Sequence, residues 1–98
     1  MLFAVRYEMK NRSEERDKRL LKLFTNWSPP AGAEIKAHYA NIDGSGGLLL
    51  QKAESAAALA ESTAPWGAFM DIKATAMVDI ADVVPIYEKV YAWRDTVG

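Results

Sequence analysis

With 98 residues, 12 Lys and Arg against 13 Asp and Glu, and a formal net charge of -1, the chain has room for one domain, residues 1–98. It lacks the positive field that drives phosphate-backbone binding, which speaks against a nucleic-acid partner. The absence of cysteine excludes a disulfide framework, a thiolate nucleophile and Cys-ligated metal, and fits a reducing, cytoplasmic setting. Half the residues are apolar and sixteen of these are alanine; a chain of this size buries only roughly 60–70% of its unfolded surface, so self-association is expected.

Leu2 to Glu8 alternates with period two, Phe3, Val5 and Tyr7 on one side and Leu2, Ala4, Arg6 and Glu8 on the other, which predicts a strand. Asn11-Arg12-Ser13-Glu14 has the form of a capping box with Asn11 as the cap, and Leu20, Leu21, Leu23, Phe24 and Trp27 follow as an apolar stripe; a helix is expected over about residues 12–26. Ser28-Pro29-Pro30-Ala31-Gly32 ends it. Ala33 to Ile42 alternates again, and Asp43-Gly44-Ser45-Gly46-Gly47 supplies a hairpin turn into a strand at Leu48 to Lys52.

An alanine-rich helix is expected at residues 53–62, then a strand at about 68–79. The last helix is capped by Asp79 or Asp82, with Pro85 in its first turn and Val83, Ile86, Tyr87, Val90 and Trp93 at helical spacing. The first five residues are apolar, too few for a signal-peptide core, and no run approaches the roughly 20 residues of a membrane span.

The order β-α-β-β-α-β with an added C-terminal helix predicts an α+β, ferredoxin-like fold: one antiparallel sheet with two helices on one face. Phe3, Val5, Ile35, Tyr39, Ile72 and Val78 are expected beneath the helices. The other face would carry Arg6, Glu8, Lys36, His38, Leu49, Gln51, Phe69, Asp71, Lys73, Thr75 and Met77. Such a mixed face suits cover by a second subunit, and a face-to-face homodimer is the expectation.

The Arg6-Tyr7 strand, the Trp27-x-Pro-Pro-x-Gly32 loop, Ile35-Lys36-Ala37-His38-Tyr39, Asp43-Gly-Ser-Gly-Gly47, Ala64-Pro65-Trp66 and the closing Trp93-Arg94-Asp95 together resemble a family of bacterial proteins of about a hundred residues, a domain of unknown function within the dimeric α/β-barrel superfamily. Relatives in that superfamily include cofactor-free monooxygenases, muconolactone-isomerase-like enzymes, stress-responsive barrel proteins and chlorite-dismutase-like haem proteins. The resemblance implies a fold and a dimer, and assigns no reaction.

His38 is the only histidine and hence the one side chain whose ordinary pKa suits acid/base work near neutrality. On the expected outer face it stands near Lys36, Arg6, Asp71 and Lys73, a cluster suited to an anionic or enolisable small molecule, with the cations stabilising negative charge and His38 moving a proton. The competing reading has the same residues forming cross-strand ion pairs in a non-catalytic dimeric binding or stress-response module. One histidine does not make a His-rich metal site, and no metal or other cofactor is expected.

Tyr7 and Tyr39 read as core residues, and Trp27 and Trp66 as loop anchors rather than pocket lids. The Asp43–Gly47 stretch lacks the Lys-Ser/Thr of a phosphate loop and the acidic run of a calcium loop. Lys10 to Lys22, with six basic and three acidic residues, reads as a solvated helix face.

Overall fold

A computed structural model describes all 98 residues. Strand β1 is Leu2–Met9, followed by helix α1, Glu14–Thr25. The helix begins at Ser13 rather than Asn11: the Ser13 hydroxyl accepts from the Arg16 N–H at 3.1 Å, while Asn11 turns the chain with φ 52°. Asn is one of the few side chains that tolerate that region. After the Pro29-Pro30 loop come β2, Ala33–Ala40, and β3, Gly46–Ala53. In the hairpin between them Gly44 supplies a positive φ of 75°, and the Asp43 carboxylate accepts from the Ser45 N–H at 3.0 Å.

Helix α2, Ala56–Thr63, is capped by Ser55 and runs into a short 3₁₀ turn at Ala64–Trp66. Strand β4, Met70–Met77, leads through two residues into α3, Ile80–Val97. Asp79 is its cap, accepting from Ala81 N–H at 2.9 Å, and Pro85 is the sixth helical residue, one turn further in than expected.

The four strands form one sheet in the order β2-β3-β1-β4, every neighbouring pair antiparallel. This is the ferredoxin-like arrangement. Leu59 of α2 packs with Phe3, Val5 and Ala53, and Leu20 and Phe24 of α1 face Val5 and Tyr7, so both helices cover the Phe3-Val5-Tyr7 face. The opposite face carries Leu2, Ala4, Arg6 and Glu8, and no helix lies on it.

One irregularity changes the expected faces. Ile35 pairs with Gln51, but Ala37 pairs with Leu50 and His38 with Leu49; the register slips at Lys36. An extra residue in one strand reverses the facing of everything beyond it. His38 therefore lies on the helix-covered side, in line with Leu49 and Val5, and Tyr39 points to the open face, 65% exposed. Leu49 and Gln51, expected outside, pair with Val5 and Phe3 of β1 and so belong to the covered face, independently of the bulge. Val78, expected beneath the helices, lies beyond the last paired residue of β4 and is exposed.

The core is thin. Only nine residues are buried, among them Phe3, Val5, Ala53, Leu59 and Met70. No residue of α1 or α3 is buried, and the radius of gyration, 17.9 Å, exceeds the about 13 Å of a compact chain of this length. No helix is long and apolar enough to cross a membrane.

Candidate functional site

Helix α1 is held at both ends and stands off the sheet between them. At its start, the Arg16 guanidinium donates to the Ala68 carbonyl at 2.6 Å and lies over the Phe69 ring; Arg12 donates to the Gly44 carbonyl and pairs with Asp17, both at 3.1 Å. At its end, Phe24, Trp27 and Trp66 form an aromatic cluster, with the Trp27 and Trp66 rings edge to face at 5.2 Å. Large planar side chains gain most by such offset contacts. The two tryptophans thus anchor their loops, as expected, and also wall the space beneath the helix.

That space is a cavity of about 330 Å³ between α1 and the sheet, open on one side. Its walls are mostly apolar: Val5, Leu20, Phe24, Leu49, Met70 and Ile72 contribute, with the tryptophans. Polar groups enter at three places. The Arg12–Asp17 pair stands at the mouth. Gln51, 1% exposed, donates its amide N–H to the Ser62 hydroxyl at 2.6 Å, joining β3 to α2. The third is a dyad: the Tyr7 hydroxyl and His38 Nε2 are 2.6 Å apart, and the two rings meet edge to face.

The dyad follows from the strands. Tyr7 on β1 and His38 on β2 are separated by β3, whose residue opposite Tyr7 is Gly47. With no side chain there, the Tyr7 ring crosses β3; a Cβ at Gly47 would run into both the Tyr7 hydroxyl and the Tyr39 carbonyl oxygen. Glycine inside a strand marks such a close approach. Phe24 packs against the other side of the His38 ring at 6.0 Å.

Partial burial lowers the pKa of His38 from its ordinary 6.5 and raises that of Tyr7 from its ordinary 10.0. Both shifts favour the neutral form of the group. A neutral phenol donates its O–H to the imidazole lone pair, which leaves the ring proton on Nδ1; the reverse tautomer makes the phenol oxygen the acceptor. Either way, one proton is shared in a hydrogen bond between two adjacent polar atoms at the wall of an apolar space. Three or more His, Cys, Asp or Glu side chains are nowhere grouped to hold a metal ion.

The residues expected to act with His38 are on the other side of the sheet. Arg6 and Lys73 pair across β1 and β4 on the open face. Lys36 bonds Glu34 at 3.1 Å, and Asp71 lies 3.7 Å from Lys10. The structure separates His38 from Arg6, Lys36, Asp71 and Lys73 because the Lys36 bulge turns the histidine over and leaves the charges behind. It brings His38 instead to Tyr7, expected only as a core residue, and the two share the cavity wall with Gln51 and Ser62. Gly47 was the one sequence signal for this: two consecutive glycines opening a strand point to something crossing it.

Fold and site together define a small ferredoxin-like α+β protein with a ligand-sized apolar pocket under its first helix. Residues 1–91 match the family described as a domain of unknown function, DUF3303, and the chain belongs to that family. Neither the curated proteins nor the solved structures contain a significant match to it.

Proposed function

We propose that this protein is a cytoplasmic homodimer that binds a small, largely apolar organic molecule in the cavity beneath α1, with His38 as the acid/base group. The observation that carries this reading is the Tyr7–His38 hydrogen bond in the wall of the cavity. Its volume sits at the lower end of the roughly 300–1,000 Å³ typical of ligand sites, and apolar walls with a few convergent polar groups are what such sites have.

The aromatic walls favour a planar ligand, and the dyad favours one carrying a hydroxyl or an enolisable carbonyl that can exchange a proton with Tyr7 or His38. Cofactor-free oxygenase, isomerase or cyclase chemistry suits this arrangement, since each such reaction turns on moving a proton in a site sheltered from water. The same fold within the dimeric α/β-barrel superfamily supports the reading by analogy.

A second reading has its own observation. Nine buried residues and an uncovered sheet face favour a non-catalytic dimeric binding module, with Arg6, Lys36, Asp71 and Lys73 specifying subunit pairing or contacting an anion there.

A thermal-shift series against aromatic acids, phenols, lactones and quinones tests both, run on the wild type, His38→Ala, Tyr7→Phe and Lys73→Ala. A ligand at a hundred times its Kd stabilises by about 2.7 kcal/mol, roughly a 10–20 °C rise in Tm for a domain of this size. Stabilisation lost in His38→Ala and Tyr7→Phe but kept in Lys73→Ala is the expected result. The opposite pattern moves the site to the open face, and a compound that stabilises the wild type and all three variants equally binds elsewhere.

A further inference from the structure

We propose that α3 of one chain lies across the open sheet face of a second copy, which returns its own α3, so that the dimer is built by helix exchange. This rests on the homodimer part of the proposed function and is independent of the pocket.

The helix cannot be stable as it stands in a lone chain. Pro85 removes the N–H that would bond the Ala81 carbonyl, a loss of about 3 kcal/mol in a helix interior. Val83, Val84, Ile86 and Val90 are β-branched and weak helix formers. Helices of this length draw most of their stability from packing, and no residue of α3 is buried. One half of its circumference carries Val84, Ile86, Tyr87, Tyr91, Trp93 and Val97, all between 48% and 70% exposed. The sole charge within that half, Arg94, lies over the Tyr91 ring; Asp82, Glu88, Lys89 and Asp95 occupy the other.

The chain carries a matching surface. On the open face Leu2, Ala4, Leu48 and Leu50 form the middle of the sheet, flanked by Tyr39 and Met77, with Arg6, Lys52 and Lys73 beside them. An eight-residue strand is about 26 Å long, and an 18-residue helix about 27 Å. Asp79 caps α3 two residues after β4 ends, and the chain reaches 61 Å along its long axis; the helix runs outward from its own sheet.

The area suffices. At roughly 150–250 Å² for a fully buried aromatic, the apolar half of α3 exposes on the order of 700 Å². Two exchanged helices give about twice that, already within the roughly 1,200–2,000 Å² of a standard interface before sheet surface is counted.

The lack of cysteine makes the test direct. Leu50→Cys chains and Val90→Cys chains are mixed, refolded together and treated with a short bis-maleimide, beside light scattering of the untreated wild type. A dimer by scattering and a covalent pair containing one chain of each variant are expected. Val90→Asp should weaken the dimer at least 100-fold while leaving the circular dichroism of the sheet unchanged, because α3 supports nothing in its own chain. A wild-type dimer in which only Leu50→Cys chains link to each other overturns the exchange and leaves a face-to-face homodimer standing. A chain carrying both cysteines that links within itself at high dilution shows α3 folded back in cis, which also refutes it. A monomer throughout refutes the exchange and the homodimer together.

Discussion

Gly47→Ala is the sharpest probe of how the site is built. The added methyl meets the Tyr39 carbonyl oxygen of β2 and the Tyr7 phenol of β1 at once, so one strand or the tyrosine ring must move. Overpacking of this kind costs about 1–3 kcal/mol, and displacing Tyr7 from His38 forfeits a further 0.5–1.5 kcal/mol or so. A total on the order of 2–4 kcal/mol corresponds to a fall in Tm of roughly 10–25 °C for a chain of this size.

Circular dichroism with heat and urea reads that loss, and a double-mutant cycle with Tyr7→Phe divides it. In the Tyr7→Phe background the hydroxyl and its hydrogen bond are already gone, so the alanine should cost less there by on the order of 1 kcal/mol, well above the 0.3–0.5 kcal/mol or so within which independent sites add. Strict additivity would show that Gly47 serves the β2 backbone alone. A wild-type Tm for Gly47→Ala would refute the crossing of β3 by Tyr7 altogether.

His38 gives the protein a pH dependence of known sign. Its native pKa lies below 6.5, so the unfolded chain binds the proton more readily, and stability should be intact above about pH 6.5 and fall as the pH drops towards the native value; His38→Gln should flatten that limb in a Tm-against-pH series. Asp43, whose pKa is lowered chiefly by its hydrogen bonds to Ser45, acts only below about pH 4, which keeps the two limbs apart. Ser62→Ala should cost about 1–3 kcal/mol by leaving the buried Gln51 amide without its acceptor, and adding Gln51→Leu should recover part of that in urea unfolding. Ser13→Ala should cost about 1 kcal/mol as a lost helix cap, whereas Asn11→Gly, at a positive φ, should be neutral or better; equal losses at both positions would put the cap back on Asn11.

Period-two alternation and turn chemistry located every strand to within a few residues, because strand faces and turns are local properties of the chain. The hairpin at Asp43–Gly47 and the breaker at Pro29-Pro30 were equally legible, and the cap of α3 was narrowed to Asp79 or Asp82, of which Asp79 serves. The bulge at Lys36 was not. Nothing in Ala-Glu-Ile-Lys-Ala-His-Tyr-Ala distinguishes a regular strand from one with an extra residue, since the slip is set by how β2 meets β3 and not by β2 itself. That single slip moved His38 from the charged face to the apolar one and exchanged it with Tyr39. His38 could be singled out from the sequence as the lone histidine, and its neighbours could not. The apolar face of α3 could be read from spacing, and within the chain it is left exposed.

The pocket follows from how α1 is held. Arg16 on Ala68 and the Trp27–Trp66 contact fix the ends of α1 to loops beyond the sheet, so the middle of the helix does not settle onto Val5 and Leu49 even though Leu20 and Phe24 face them. In an ordinary domain those apolar groups would close the gap, because collapse removes them from water. Here the clamps hold it open, and the surface left uncovered is what a ligand would bury. Occupancy would then complete a core that the chain leaves unfinished, coupling stability to binding through mass action. Loosening one clamp with Arg16→Ala should let α1 settle, shrinking the cavity and weakening ligand binding without a matching loss of stability. A variant that instead lost both together would show that Arg16 holds up the fold, not the pocket.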